Sequence, residues 1–195
     1  MSVPELRVPL VMMAVIGTLA FNFSTVLPLF AVRDLSGDDL TFSLLMSVVS
    51  IGSLAGALAA ARRKDIGVRT VSMAAVAFGV SMVALAAAPT TPIAFGVGIL
   101  VGLTSITFMT TSTAIVQLRA DPMMRGRVLA LQAIVFLGST PIGGPIVGAV
   151  SEHFGARWGL AVGAAATIGA GTYGLLTVRR RDAVPATAAV PQPAS

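Results

Sequence analysis

The sequence predicts an all-α membrane protein of six transmembrane helices, and three observations predict it. Of 195 residues, 55% are apolar and 11% charged, with a mean hydropathy of +0.91. Soluble domains carry about 25% charged residues, so this composition cannot build a water-facing surface. The apolar residues fall into six runs free of Lys, Arg, Asp and Glu, each near the roughly 20 residues that a helix needs to cross hydrocarbon. The cations collect between alternate runs.

Residues 1–7 form a short N-terminus, and the first run covers 8–32. It is too long for a signal core and no small-residue cleavage site follows, so it is read as a retained helix. It carries Thr18, Asn22 and Thr25 at i, i+4 and i+7, hence on one face. A polar turn with Gly37 leads to the second run, 40–61, and a cationic loop to the third, 71–88. Pro89 and Pro92 separate this from the fourth run, 93–116, which carries Thr104, Thr107 and Thr111 at helical spacing. After a charged loop with Pro122 and Gly126 comes the fifth run, 128–150, where Pro141, Gly144 and Pro145 should bend or loosen the helix. The sixth run is 158–178, and 179–195 read as a disordered cytoplasmic tail rich in Ala and Pro.

Orientation follows from the cations, because Lys and Arg near span ends stay on the cytoplasmic side. One side holds Arg7, Arg62, Arg63, Lys64, Arg69, Arg119, Arg125, Arg127 and Arg179 to Arg181; the other holds only Arg33 and Arg157. Both termini are therefore expected in the cytoplasm of a multi-pass inner-membrane protein. The basic balance, with a net charge of +5, is topological and lacks the aromatic interleaving of a nucleic-acid surface, so no nucleic acid is expected as partner.

Chemistry is sparse. The only histidine, His153, has Glu152 as its one neighbouring carboxylate, and cysteine is absent. Metal sites, catalytic triads and thiol nucleophiles thus lack parts. No catalytic residue, cofactor or metal is expected, and no enzyme activity. Glycines spaced by four, Gly52 with Gly56, Gly98 with Gly102, Gly144 with Gly148 and Gly159 with Gly163, predict close helix packing. The first and fourth runs carry polar stripes, while the third and sixth are almost wholly aliphatic. This assigns Asn22, Thr25, Thr104, Thr107 and Thr111 to a polar interior and the third and sixth helices to lipid. The stripes also admit a bland reading, because hydroxyls satisfy themselves on the preceding turn.

The stretch from Gln117 through Asp121-Pro-Met-Met-Arg-Gly-Arg127 and Phe136-Leu-Gly-Ser-Thr-Pro-Ile-Gly-Gly-Pro145 to Arg157 resembles the tenth-to-twelfth-helix region of major facilitator superfamily exporters. It is similar to the branch of the enterobactin exporter and related multidrug efflux permeases. The loop Arg62-Arg-Lys-Asp-Ile-Gly-Val-Arg69 is similar to that superfamily's signature loop, with Gly67 and Arg69 in register, Lys64 in the place of the signature Asp and Asp65 one place late. The resemblance spans roughly 5–180 and implies the C-terminal six-helix half of a twelve-helix exporter, built from two inverted three-helix repeats with their first helices lining a cavity. It implies gating loops at Gly67 and Arg69 and at Arg125, Gly126 and Arg127. It also implies a lipid bilayer around the bundle, a small amphipathic substrate, and an N-terminal half supplied as a separate chain or by a second copy. The alternative is a non-transporting remnant, or a helix-packing partner of another membrane complex.

Overall fold

The computed structural model describes residues 3–62, 66–121 and 123–182. Arg63, Lys64 and Asp65 of the signature-like loop, Pro122, and the tail 183–195 lie outside the described residues. Among the described residues the chain is all helical, and six helical spans are long and apolar enough to cross a membrane. The first span is made of α1 (Val3–Leu19) and α2 (Phe23–Leu29). The others are α3 (Asp39–Ala61), α4 (Val68–Ala86), α5 (Thr91–Arg119), α6 (Arg125–Phe154) and α7 (Ala156–Asp182). The last helix runs through Asp182, so the segment expected as a tail from 179 starts as helix.

Helix ends follow local chemistry. The first span closes through a wide turn over Phe30–Asp34, where the Leu35 N–H donates to Phe30 O and the Gly37 N–H to Ala31 O. At α3, Asp38 accepts from the Thr41 N–H at 2.9 Å, and the Thr41 hydroxyl accepts from the Asp38 N–H at 3.3 Å, a reciprocal cap. Between α6 and α7, Gly155 takes φ 97°, a conformation that suits a residue without Cβ and turns the chain sharply into the next span.

The Thr41 N–H, and after it the Thr41 hydroxyl, hold the Asp38 carboxyl below its ordinary pKa. A depressed folded-state value means that the cap's contribution is complete above the unfolded carboxylate pKa of about 3.9 and is lost as pH falls through the folded value. The expected result is that unfolding of the wild-type protein in detergent becomes easier over that acid range, while Asp38→Asn shows a smaller change. Thermal scans at stepped pH measure this, and identical pH profiles would refute the assignment.

The helices pack by exchange between two three-span units. α3 packs on α5 and, correspondingly, α6 packs on α1; α4 packs on α5 as α7 packs on α1; and α4 and α7 pack on each other. Each unit has three spans, so the second necessarily runs through the bilayer in the opposite sense to the first. The pairing is the one that a twofold axis in the membrane plane would produce.

Glycines set the closeness of these contacts. A Cβ at Gly52 or Gly56 of α3 would land on the backbone of Ile99 or Leu103 in α5, and one at Gly102 would land on Val49 O in α3. The backbones touch, which gains dispersion contact where lipid supplies no hydrophobic drive. Met12, Ile16, Phe78, Phe108 and Leu160 fill the centre between α1, α4, α5 and α7. Leu44, Ile51, Leu54 and Leu58 of α3 and Leu131, Ile134 and Leu137 of α6 are exposed on the outside.

Candidate functional site

The first span is interrupted near its middle. Its hydrogen-bond ladder reaches the Ala20 N–H, which donates to Ile16 O, and resumes where Asn22 O accepts from the Thr25 and Val26 N–H groups. Asn22 is the cause that can be named, since an Asn amide competes with the backbone for carbonyls and is a poor helix former. Its Nδ2 donates to Thr18 O at 2.7 Å, the oxygen that the Asn22 backbone N–H would meet in a continuous helix. Thr18 in turn donates to Ala14 O at 2.6 Å.

Non-helical backbone at this depth survives only when protein or a water-lined cavity covers it. Here two glycines close on the break from different helices: Gly143 of α6 sits against Thr18 O, and Gly163 of α7 sits against Leu19 O and Ala20. Asn22 is only 3% exposed. Gly144 faces its Oδ1, and Gly148 faces the Thr25 methyl. An aromatic cluster lies at the same level: Phe21 packs on Phe136 of α6 at 5.1 Å, on Phe78 of α4 at 5.4 Å and on Phe23 at 6.0 Å.

The α5 threonines lie elsewhere. Thr104 donates into its own helix or across to Ser81 of α4, 2.9 Å away. Thr107 donates to Leu103 O and lies beside Gly56 O of α3, and Thr111 donates to Thr107 O. Thr107 and Thr111 are 5% and 1% exposed. The structure thus brings Asn22 and Thr25 together against α6 and directs Thr104 and Thr107 to α4 and α3; no hydrogen bond joins the two groups among the described residues.

The loop residues also separate. Gly67 caps the start of α4, and Arg69, its second residue, lines a groove of about 480 Å³ with Arg179 of α7. Arg125, Gly126 and Arg127 begin α6 and are exposed. α6 runs helical through both Pro141 and Pro145, and the break in a hydrogen-bond ladder described above lies in the first span. Both prolines are exposed, while Gly143 is buried.

Two further constellations are assembled by the tertiary fold. Between α1, α5 and α6 lies a pocket of about 270 Å³ that includes Met13, Met109, Thr113, Gln132 and Phe136. Gln132 is 6% exposed, and its Nε2 donates to the Thr113 hydroxyl at 3.1 Å. The signal was available: Gln132 is the sole polar residue between Arg127 and Gly138.

The second constellation ties together helix ends at one end of the bundle. Arg157, at the start of α7, donates through Nε to Asp34 at 3.1 Å, and through Nη1 and Nη2 to Ala86 O and Ala88 O at 2.7 and 2.8 Å. It also lies 5.6 Å from the Phe30 ring centre. One guanidinium therefore joins the ends of the first, third and sixth spans and complements the negative end of α4.

Among the described residues no group of His, Asp or Glu is placed to hold a metal. The arrangement offers neutral hydrogen-bonding groups and apolar surface at membrane depth, which suits binding and movement rather than bond cleavage. Compared with known families, residues 1–194 match the one described as transmembrane secretion effector. No curated protein matches the chain significantly.

Proposed function

The chain belongs to the transmembrane secretion effector family MFS_3, whose members are secondary transporters of the major facilitator class and not enzymes, and on that premise we propose that it exports small amphipathic molecules of the drug or siderophore class. The six spans described act as one half of an alternating-access pair, with a further six-helix half as the opposing wall. Its ends face the cytoplasm. The branch that includes the enterobactin exporter supplies the expected direction of transport.

The observation that carries this reading is the buried interruption of the first span at Asn22. Transporters of this kind place discontinuous helices at the substrate site, where the helix must bend. Within the proposal Asn22 and Thr25 form the cavity wall from the first span, and Thr104 contributes the wall from α5. Thr107, beside Gly56 O of α3, and Thr111, bonded within α5, shape that wall from behind. Gly67 and Arg69, with Arg125, Gly126 and Arg127, are the gating loops, and Pro141, Gly144 and Pro145 are the bend in α6 that accompanies rocking. No carboxylate lies in the apolar core of any span, so a proton-carrying group, if transport is proton-driven, belongs to the opposing half.

Reconstituted protein tests this. Efflux of a fluorescent amphipathic dye is expected with a co-expressed N-terminal six-helix half, and not from the six-helix chain when it is demonstrably monomeric. Transport by the monomer overturns the half-transporter reading. Absence of transport in every combination overturns export and favours the non-transporting alternative. The protein has no cysteine, so Gly37→Cys and Gly67→Cys give clean topology reporters, expected to label from outside and inside respectively; labelling of both from outside overturns the orientation.

A further inference from the structure

We infer that the pocket between α1, α5 and α6 is a recognition subsite for a neutral N–H or O–H donor carried on an aromatic or apolar body. The inference deepens the transporter reading and rests on it only for calling the occupant a substrate. Its core is one atom. Gln132 Oε1 is buried and has no hydrogen-bond partner among the described residues.

The amide orientation follows from the hydrogen-bond chain. The Thr113 hydroxyl donates its single proton to Met109 O at 3.0 Å, so towards Gln132 it can only accept. Gln132 must therefore present Nε2 to Thr113, as it does at 3.1 Å, and Oε1 is left as the free end. The group wanting a partner is an acceptor, and what completes it is a donor. The apolar core of each span contains no carboxylate, so nothing in the wall requires the donor to be a cation.

The rest of the wall selects an apolar body. Met13 and Met109 supply polarisable thioethers that adapt to shape, and Leu129, Ala133 and Phe136 complete an apolar lining. Phe136 also joins this pocket to the aromatic cluster at the helix break through Phe21. At about 270 Å³ the space is slightly below that of a complete small-molecule site, which suits one or two rings of a larger molecule.

The test uses the protein in lipid nanodiscs with Ala133→Cys as its only cysteine, because Ala133 lines the pocket and is exposed. Alkylation by N-ethylmaleimide is timed in the presence of N-phenyl-1-naphthylamine, which has one N–H, and of its N-methyl analogue, which has none. The N–H probe is expected to protect at about five- to tenfold lower concentration, the size of one neutral hydrogen bond. Adding Gln132→Leu should erase this contrast while leaving weak protection by both probes. Thr113→Val, which frees the amide to turn over, should reduce it.

Equal protection by the two probes, no protection by either, or a contrast that persists in Gln132→Leu would overturn the inference. So would a Gln132→Leu protein that gains thermal stability without any contrast having existed, since Oε1 would then be a packing defect. Dye efflux with the opposing half separates the two claims. Efflux without the probe contrast removes the subsite and keeps the transporter, and contrast without efflux does the reverse.

Discussion

Gly143→Leu is expected to destabilise the protein by about 3 kcal/mol or more, because the added side chain has nowhere to go. Its Cβ alone would fall on Thr18 O, and the Asn22 amide lies 3.0 Å from the same point. Relief requires α6 to move away from α1. That movement exposes the broken stretch of the first span, whose carbonyls have no water to turn to at that depth. Gly138→Ala is the control: a Cβ there meets nothing within 4 Å, so the change should be neutral or stabilise by roughly 0.5–1 kcal/mol through helix propensity. Thermal unfolding in detergent, followed by the single tryptophan, Trp158, measures both. Equal stability of the two variants would show that α6 does not clasp the break.

Arg157→Ala is expected to cost roughly 2–3 kcal/mol. The change removes two charge-assisted hydrogen bonds to Ala86 O and Ala88 O and leaves Asp34, whose side chain is 18% exposed, without its partner. Arg157 itself is 35% exposed, so water softens the loss and the estimate sits below that for a fully buried pair. Arg157→Lys should recover only a part, since one ammonium cannot reproduce a fork that reaches three acceptors in different directions. A double-mutant cycle with Asp34→Asn isolates the pair. A loss in Arg157→Ala below about 0.5 kcal/mol would place the residue among ordinary surface ion pairs.

Asn22 was legible as an interior residue, because an amide in a membrane span needs a partner wherever it sits. That it breaks its helix was not legible: whether an Asn side chain takes the carbonyl of Thr18 in place of its own backbone N–H depends on whether neighbours can cover the opened turn. Gly143 and Gly163 provide that cover, and they come from helices over a hundred residues away. Spacing by four singled out Gly144, but it is Gly143, one position earlier, that meets Thr18 O. Helical rotation is fixed by what each helix packs against.

The threonine stripe on α5 shows a related limit. Period alone placed Thr104, Thr107 and Thr111 on one side of a helix, and that side borders both α3 and α4. The hydroxyls divide between those neighbours and the carbonyls of the preceding turn. Gln132 escaped notice because it stands alone, and a lone polar residue has no period. Its partner, Thr113, is on another helix.

What composition determined by itself is the membrane and the number of spans, because these follow from the transfer of each segment into hydrocarbon, which depends on that segment alone. What only the tertiary structure decided is which helices touch, where the first span breaks, which acceptor is left unpaired and which cation ties three ends together. Those depend on close approach between distant parts of the chain, where a single Cβ or carbonyl decides whether two backbones can meet.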